Sequence, residues 1–131
     1  FDADGDGDLD LYIVSGGYEQ KPNSPAYQDR LYLNDGRGGF QPAPPGTLPN
    51  FLKSGSCVKA ADFDRDGDLD LFIGGRVVPE RYPEPTSCFI LRNDSPRGAG
   101  SREQGVKFTD VTAQLAPGLQ NIGLVCDALW T

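Results

Sequence analysis

The sequence contains no histidine and no methionine, and it has one tryptophan and three cysteines in 131 residues. Without histidine, a histidine-based triad, a histidine general base and a histidine-ligated zinc are excluded within this sequence. Uninterrupted aliphatic or aromatic runs are no longer than LYIV at 11–14, whereas a membrane helix needs about 18 apolar residues. Basic residues are the minority, 12 against 19 acidic, for a formal charge of -7. Phosphate contacts need clustered Lys and Arg, so nucleic acid is a poor partner. With 17 glycines and 11 prolines, no long helical pattern survives; one short helical turn is expected at 114–116. The odd cysteine count leaves at least one thiol unpaired within the sequence. A buried thiol is the expected state of each of Cys57, Cys88 and Cys126, with a disulfide between two of them the alternative, and none has a histidine to make it a nucleophile.

The acidity that is present has a definite address. Ten of the 19 acidic residues are Asp2, Asp4, Asp6, Asp8, Asp10, Asp62, Asp64, Asp66, Asp68 and Asp70. Outside those two runs, nine acids face 12 bases, a balance of +3. The negative charge therefore belongs to two loops and not to the surface at large.

Those loops open two copies of one unit. DADGDGDLDL at 2–11 aligns without a gap to DFDRDGDLDL at 62–71. Downstream, LYLND at 31–35 matches ILRND at 90–94, and Phe40 matches Phe108. The second turn is longer, with 15 residues from Asn93 to Phe108 against six from Asn34 to Phe40. Its stretch 95–101, SPRGAGS, has the composition of a flexible surface insertion. Strands are expected at 11–14, 30–34, 40–41 and 58–61, and again at 71–73, 89–93, 107–111 and 124–130. Between them, NDGRGG at 34–39 has the chemistry of a tight turn. The expected fold is all-β, with about two four-stranded antiparallel blades of a larger β-propeller. The first unit spans 1–61 and the second 62–131. Two blades cannot close a ring, so the sequence reads as a piece of a longer chain. Residues 123–131 align with 55–61 as the strand before a loop, and a third Asp-rich motif is expected to follow residue 131.

Each loop has the form D-x-D-x-D-G-x-x-D. Alternate carboxylates on a curled loop converge, and glycine at the sixth place permits the sharp turn. The seventh-position carbonyl, of Asp8 or Asp68, can add an oxygen, and the ninth-position Asp10 or Asp70 can close the shell. Hard oxygen ligands with several carboxylates favour Ca²⁺ over zinc or copper, and over the smaller, more hydrated Mg²⁺. One Ca²⁺ per loop is expected. An EF-hand would require glutamate at position 12 and a helix after it; here position 12 is Ile13 or Ile73, inside strand sequence.

The loops, the Leu-(Tyr/Phe)-Ile that follows each, and RLYLNDGRGGF at 30–40 resemble FG-GAP/VCBS repeats. These repeats build integrin-α-type β-propellers and occur in many secreted bacterial proteins. RND at 92–94 followed by KFTDVT at 107–112 resembles the bacterial branch that often carries an ASPIC/UnbV-type segment, which is not present in this sequence. The resemblance implies calcium in the blade loops, a ring usually of seven blades, and an extracellular, secreted or cell-surface setting, with a periplasmic one also open. A non-enzymatic segment is expected, since calcium would hold the Asp runs ionised and Glu80, Tyr82 and Glu84 form no recognisable catalytic constellation; Ca²⁺ is expected to be structural and the blades to recognise an extracellular protein or glycan. The alternatives are part of a secreted propeller enzyme acting on polysaccharide, or a spacer beside another domain. Trp130 is expected in the core. Loops 18–26 and 76–85, with Tyr27, Gln28, Asp29 and Arg30, are candidates either for recognition or for plain surface connection.

Overall fold

The computed structural model describes residues 1–96 and 105–131. Most of the insertion expected at 95–101 lies outside them. Among the described residues, seven strands form two antiparallel sheets. The first sheet orders β1 (Leu11–Ile13), β2 (Arg30–Asn34) and β3 (Phe40–Pro42). The second orders β4 (Ser54–Ala61), β5 (Asp70–Val77), β6 (Phe89–Asn93) and β7 (Phe108–Asp110). One helical turn, α1 (Thr112–Leu115), follows β7.

The two sheets repeat in register as well as in sequence. Leu11 pairs with Tyr32 as Leu71 pairs with Leu91. Asn34 pairs with Phe40 as Asn93 pairs with Phe108. Sequence units and sheets are nevertheless out of phase. The strand before the second Asp loop, β4, pairs along its length with β5 after it, ending at Ala61 opposite Asp70. The sequence boundary at 61/62 thus runs through a hairpin.

Residues 124–130 form no strand, contrary to the expectation from sequence. A strand exists only where a ladder satisfies its backbone, and β4 takes its ladder from the strand after the Asp loop. No such strand follows 124–130 among the described residues. The segment is still placed as β4 is placed. Gly55 N donates to the Ser15 carbonyl at 3.1 Å, and Val125 N donates to the corresponding Gly75 carbonyl at 2.9 Å. Trp130 lies against Phe63 and Phe72 and donates its indole N–H to the Lys59 carbonyl at 3.2 Å. It is half-buried on the far face of the second sheet and is not part of the central core.

That core lies between the sheets. Leu71, Ile73, Leu91 and Phe108 of the second sheet meet Leu31, with Tyr12 and Leu33 packed alongside. Residues 43–51 bridge the two sheets: Thr47 accepts from Phe108 N at 2.8 Å, and Phe51 stacks on Phe89 at 4.7 Å. All three cysteines are free thiols, but only Cys88 is buried. Cys57 is half-buried, and Cys126 is exposed.

At the end of the strands opposite the Asp loops, two of the candidate residues, Tyr27 and Asp29, hold the backbone. Tyr27 is buried, and its hydroxyl closes loop 18–26 by donating to Gln20 O at 3.0 Å and accepting from Gln20 N at 3.1 Å. Asp29 is buried and accepts from Ser15 N at 2.6 Å and from the Tyr12 hydroxyl at 2.8 Å. At the corresponding place in the second unit, Cys88 Sγ accepts from Gly75 N at 3.4 Å, and Phe72 stands where Tyr12 does. The carboxylate acceptor of one unit is thus replaced by a thiol sulfur in the other, and the phenol by a phenyl ring.

Burial pushes the Asp29 carboxyl up to about 6, partly opposed by the Ser15 and Tyr12 hydrogen bonds. The same burial, with Asp29 beside it, pushes Tyr12 up. The folded state therefore holds a proton on Asp29 more tightly than the unfolded chain does. This contribution is full below about pH 4 and is lost as pH rises through about 6, roughly 3 kcal/mol in all. Asp29→Asn keeps an acceptor for Ser15 N without the charge. Relative to the native chain, it is expected to gain about 2 kcal/mol between pH 4.5 and 7.5, measured by urea unfolding at fixed calcium. A constant difference between the two proteins across that range would refute the assignment.

Candidate metal centre

Each Asp loop is wound by its own carboxylates. In the first, Asp2 Oδ1 accepts from Gly5 N at 2.8 Å and Asp6 N at 3.2 Å, and Asp2 Oδ2 accepts from Gly7 N at 3.0 Å. In the second, Asp62 Oδ1 accepts from Asp66 N at 3.1 Å and Asp62 Oδ2 from Gly67 N at 2.9 Å. Asp4 and Asp64 each accept from the N–H two residues on, at 3.2 Å. The turn at the sixth place is left-handed in both copies, with φ of 93° at Gly7 and 96° at Gly67. Glycine adopts this conformation without the Cβ penalty. The fourth place is left-handed too, filled by Gly5 in one loop and by Arg65 in the other.

The ninth-position aspartate ties each loop to its sheet. Asp10 Oδ2 accepts from Ala3 N at 2.7 Å and Asp10 Oδ1 from Asn34 N at 2.8 Å. Asp70 Oδ2 accepts from Phe63 N at 3.1 Å and Asp70 Oδ1 from Asn93 N at 2.8 Å. Asp70 is fully buried. Burial raises its pKa, the Asn93 and Phe63 N–H groups oppose the rise, and Asp64 and Asp66 add to it.

These bonds bring one carboxylate oxygen each from Asp2, Asp4 and Asp10 within 4.8 Å of one another. Asp62, Asp64 and Asp70 converge within the same limit. Six of the ten aspartates expected at the loops therefore form two matching triads. Asp6 and Asp66 turn an oxygen to the backbone N–H two residues on, at 2.8 and 3.0 Å. Asp8 lies outside the first triad, its carboxylate set against Gly36. Asp68 lies beside a cleft of about 360 Å³ that Asp2, Asp4, Gly5, Gly67 and Ser95 also line.

The donor set fits a hard cation. Every converging group is a carboxylate, and an ionised carboxylate has about four lone-pair directions, so the backbone bonds leave capacity for an ion. Two like charges about 4 Å apart repel by ~1 kcal/mol in water and ~4 kcal/mol at an effective dielectric of 20. The attraction of a divalent cation for each of the three carboxylates outweighs that repulsion.

Sequence reasoning did not assign Asn34 and Asn93, although both belong to the repeated LND and RND segments. Their side-chain amides hold the carbonyl before the ninth-position aspartate, Leu9 O at 3.0 Å and Leu69 O at 3.4 Å. The signal was their equivalent place in the two units.

Fold and loops together define a repeat protein built of β-propeller blades, with an aspartate-rich loop directly before β1 and another between β4 and β5. Residues 2–73 match the model of the FG-GAP-like repeat family, and the chain belongs to that family. No curated protein and no solved structure matches it.

Proposed function

We propose that each Asp loop binds one structural Ca²⁺, and that the blades serve recognition of an extracellular protein or glycan. The observation that carries the calcium reading is the recurrence of one cradle. The same three positions converge in both loops, held by the same backbone donors, although their fourth residues differ. Residues Asp2, Asp4 and Asp10, and Asp62, Asp64 and Asp70, would hold the ions. Calcium would join the strands on either side of each loop and offset carboxylate repulsion. Extracellular modules commonly bind calcium at about 10⁻⁴–10⁻³ M, which suits a secreted or cell-surface setting. No helix among the described residues is long and apolar enough to cross a membrane.

Support for recognition is topological. Loops 18–26 and 76–85 emerge at the rim opposite the ions. They meet at a cleft of about 170 Å³ lined in part by Asn23, Lys53, Arg81, Glu84 and Asn121. Calcium at the other rim would fix the strands that carry these loops without contacting a partner.

Mass action sets the expected response to calcium. At a free concentration ten times the dissociation constant, each site adds about 1.4 kcal/mol. Thermal melting in EDTA and in millimolar calcium should show a rise of several degrees. Asp4→Ala combined with Asp64→Ala should abolish it. An unchanged melting point, or an equal rise in the double variant, would reject the reading.

A further inference from the structure

Asn93 makes a bond that its counterpart Asn34 does not. The Asn34 amide reaches Leu9 O in its own unit. The Asn93 amide reaches Leu69 O at 3.4 Å and, more closely, Ala3 O of the other unit at 3.0 Å. Ala3 O belongs to the peptide group leading into Asp4, a member of the first triad. The Asn93 N–H meanwhile holds Asp70 Oδ1, a member of the second triad, at 2.8 Å. A single residue therefore grips both candidate ion sites.

The link is shielded from water. Ala3, Asp70 and Asn93 are 1%, 0% and 3% exposed, so solvent cannot readily replace their bonds. The orientation of the amide is fixed from its other end, where Asn93 Oδ1 accepts from Ser95 N at 3.1 Å and from the Ser95 hydroxyl. Ala3 N closes the connection by donating to Asp10 Oδ2 at 2.7 Å.

We propose that Asn93 couples the two loops, so that calcium in one raises the calcium affinity of the other. This rests on the calcium reading above. An ion in the second loop fixes Asp70, and Asp70 fixes the Asn93 backbone. The Asn93 amide then holds the Ala3–Asp4 peptide group in the orientation that presents Asp4. Part of the ordering cost of the first loop is met before its own ion arrives. Linkage makes the effect reciprocal. Direct repulsion between the two ions acts in the opposite sense, but it is screened by salt and does not depend on Asn93.

Calorimetric calcium titration of the full chain at about 0.15 M salt tests this through the affinity of the first loop. In the native background, Asp64→Ala, which disables the second loop, is expected to weaken the first about tenfold, within the usual range of coupling. In an Asn93→Ala background, the same substitution should change it less than twofold. In an Asn34→Ala background, which loses a similar bond but no link between loops, the tenfold effect should remain. Circular dichroism reports whether each variant folds. If Asn93→Ala does not fold, Ser95→Ala replaces it and should reduce the tenfold effect to threefold or less. Coupling that survives undiminished in the Asn93 variant, or in the Ser95 variant used in its place, overturns the proposal. So does a first loop indifferent to Asp64→Ala in the native background. Absence of calcium heat in every protein would overturn the calcium reading as well, whereas two normal but independent sites would overturn the coupling alone.

Discussion

Asp70→Ala is expected to lower unfolding stability by about 3 kcal/mol in calcium-free buffer. Asp70 is fully buried and accepts from Phe63 N and Asn93 N. Its removal strands both donors, at about 1–3 kcal/mol each. Relief of repulsion with Asp64 and Asp66 offsets part of that loss. Asp62→Ala is the control, since its bonds to Asp66 N and Gly67 N are exposed and water can replace them; its cost should be about 1 kcal/mol or less. Both substitutions should end calcium binding in the second loop. Urea unfolding in EDTA therefore separates the structural role of Asp70 from its metal role. Equal costs for the two variants would show that Asp70 is not the anchor of its loop.

Leu71→Ala should cost about 3–4 kcal/mol, whereas Leu11→Ala should cost under 1 kcal/mol. The two leucines hold the same place in the two units, each directly after the Asp loop. Leu71 is completely buried in the core between the sheets, so truncation removes transfer energy and leaves a cavity. Leu11 is 45% exposed. Strand alternation explains the difference. Tyr12 faces the second sheet from β1, so Leu11 faces away, and no described sheet covers that side. Similar losses from both substitutions, measured by urea unfolding, would contradict this packing.

Several features were legible because they are local. Alternating aspartates with glycine at the sixth place specify a curled loop, and both loops curl as the spacing requires. Strands β2 and β6 run over Arg30–Asn34 and Phe89–Asn93, the limits that their apolar clusters and turn residues set. Features that need a distant partner were not legible. Residues 124–130 have the composition of a strand but no ladder. Asp29 reads as a polar loop residue, yet it lies buried beneath Tyr12 and Ser15.

By itself, the sequence determined the repeat, the family and the positions of the acidic loops. Each depends on residues a few places apart, whose spacing the backbone converts directly into geometry. Tertiary structure decided which aspartates converge and which leucine of an equivalent pair is buried. It also decided that Asn93, and not Asn34, reaches across to the other loop. Those outcomes depend on how one sheet lies on the next, and two nearly identical motifs acquire different surroundings when only one has a neighbour on a given face.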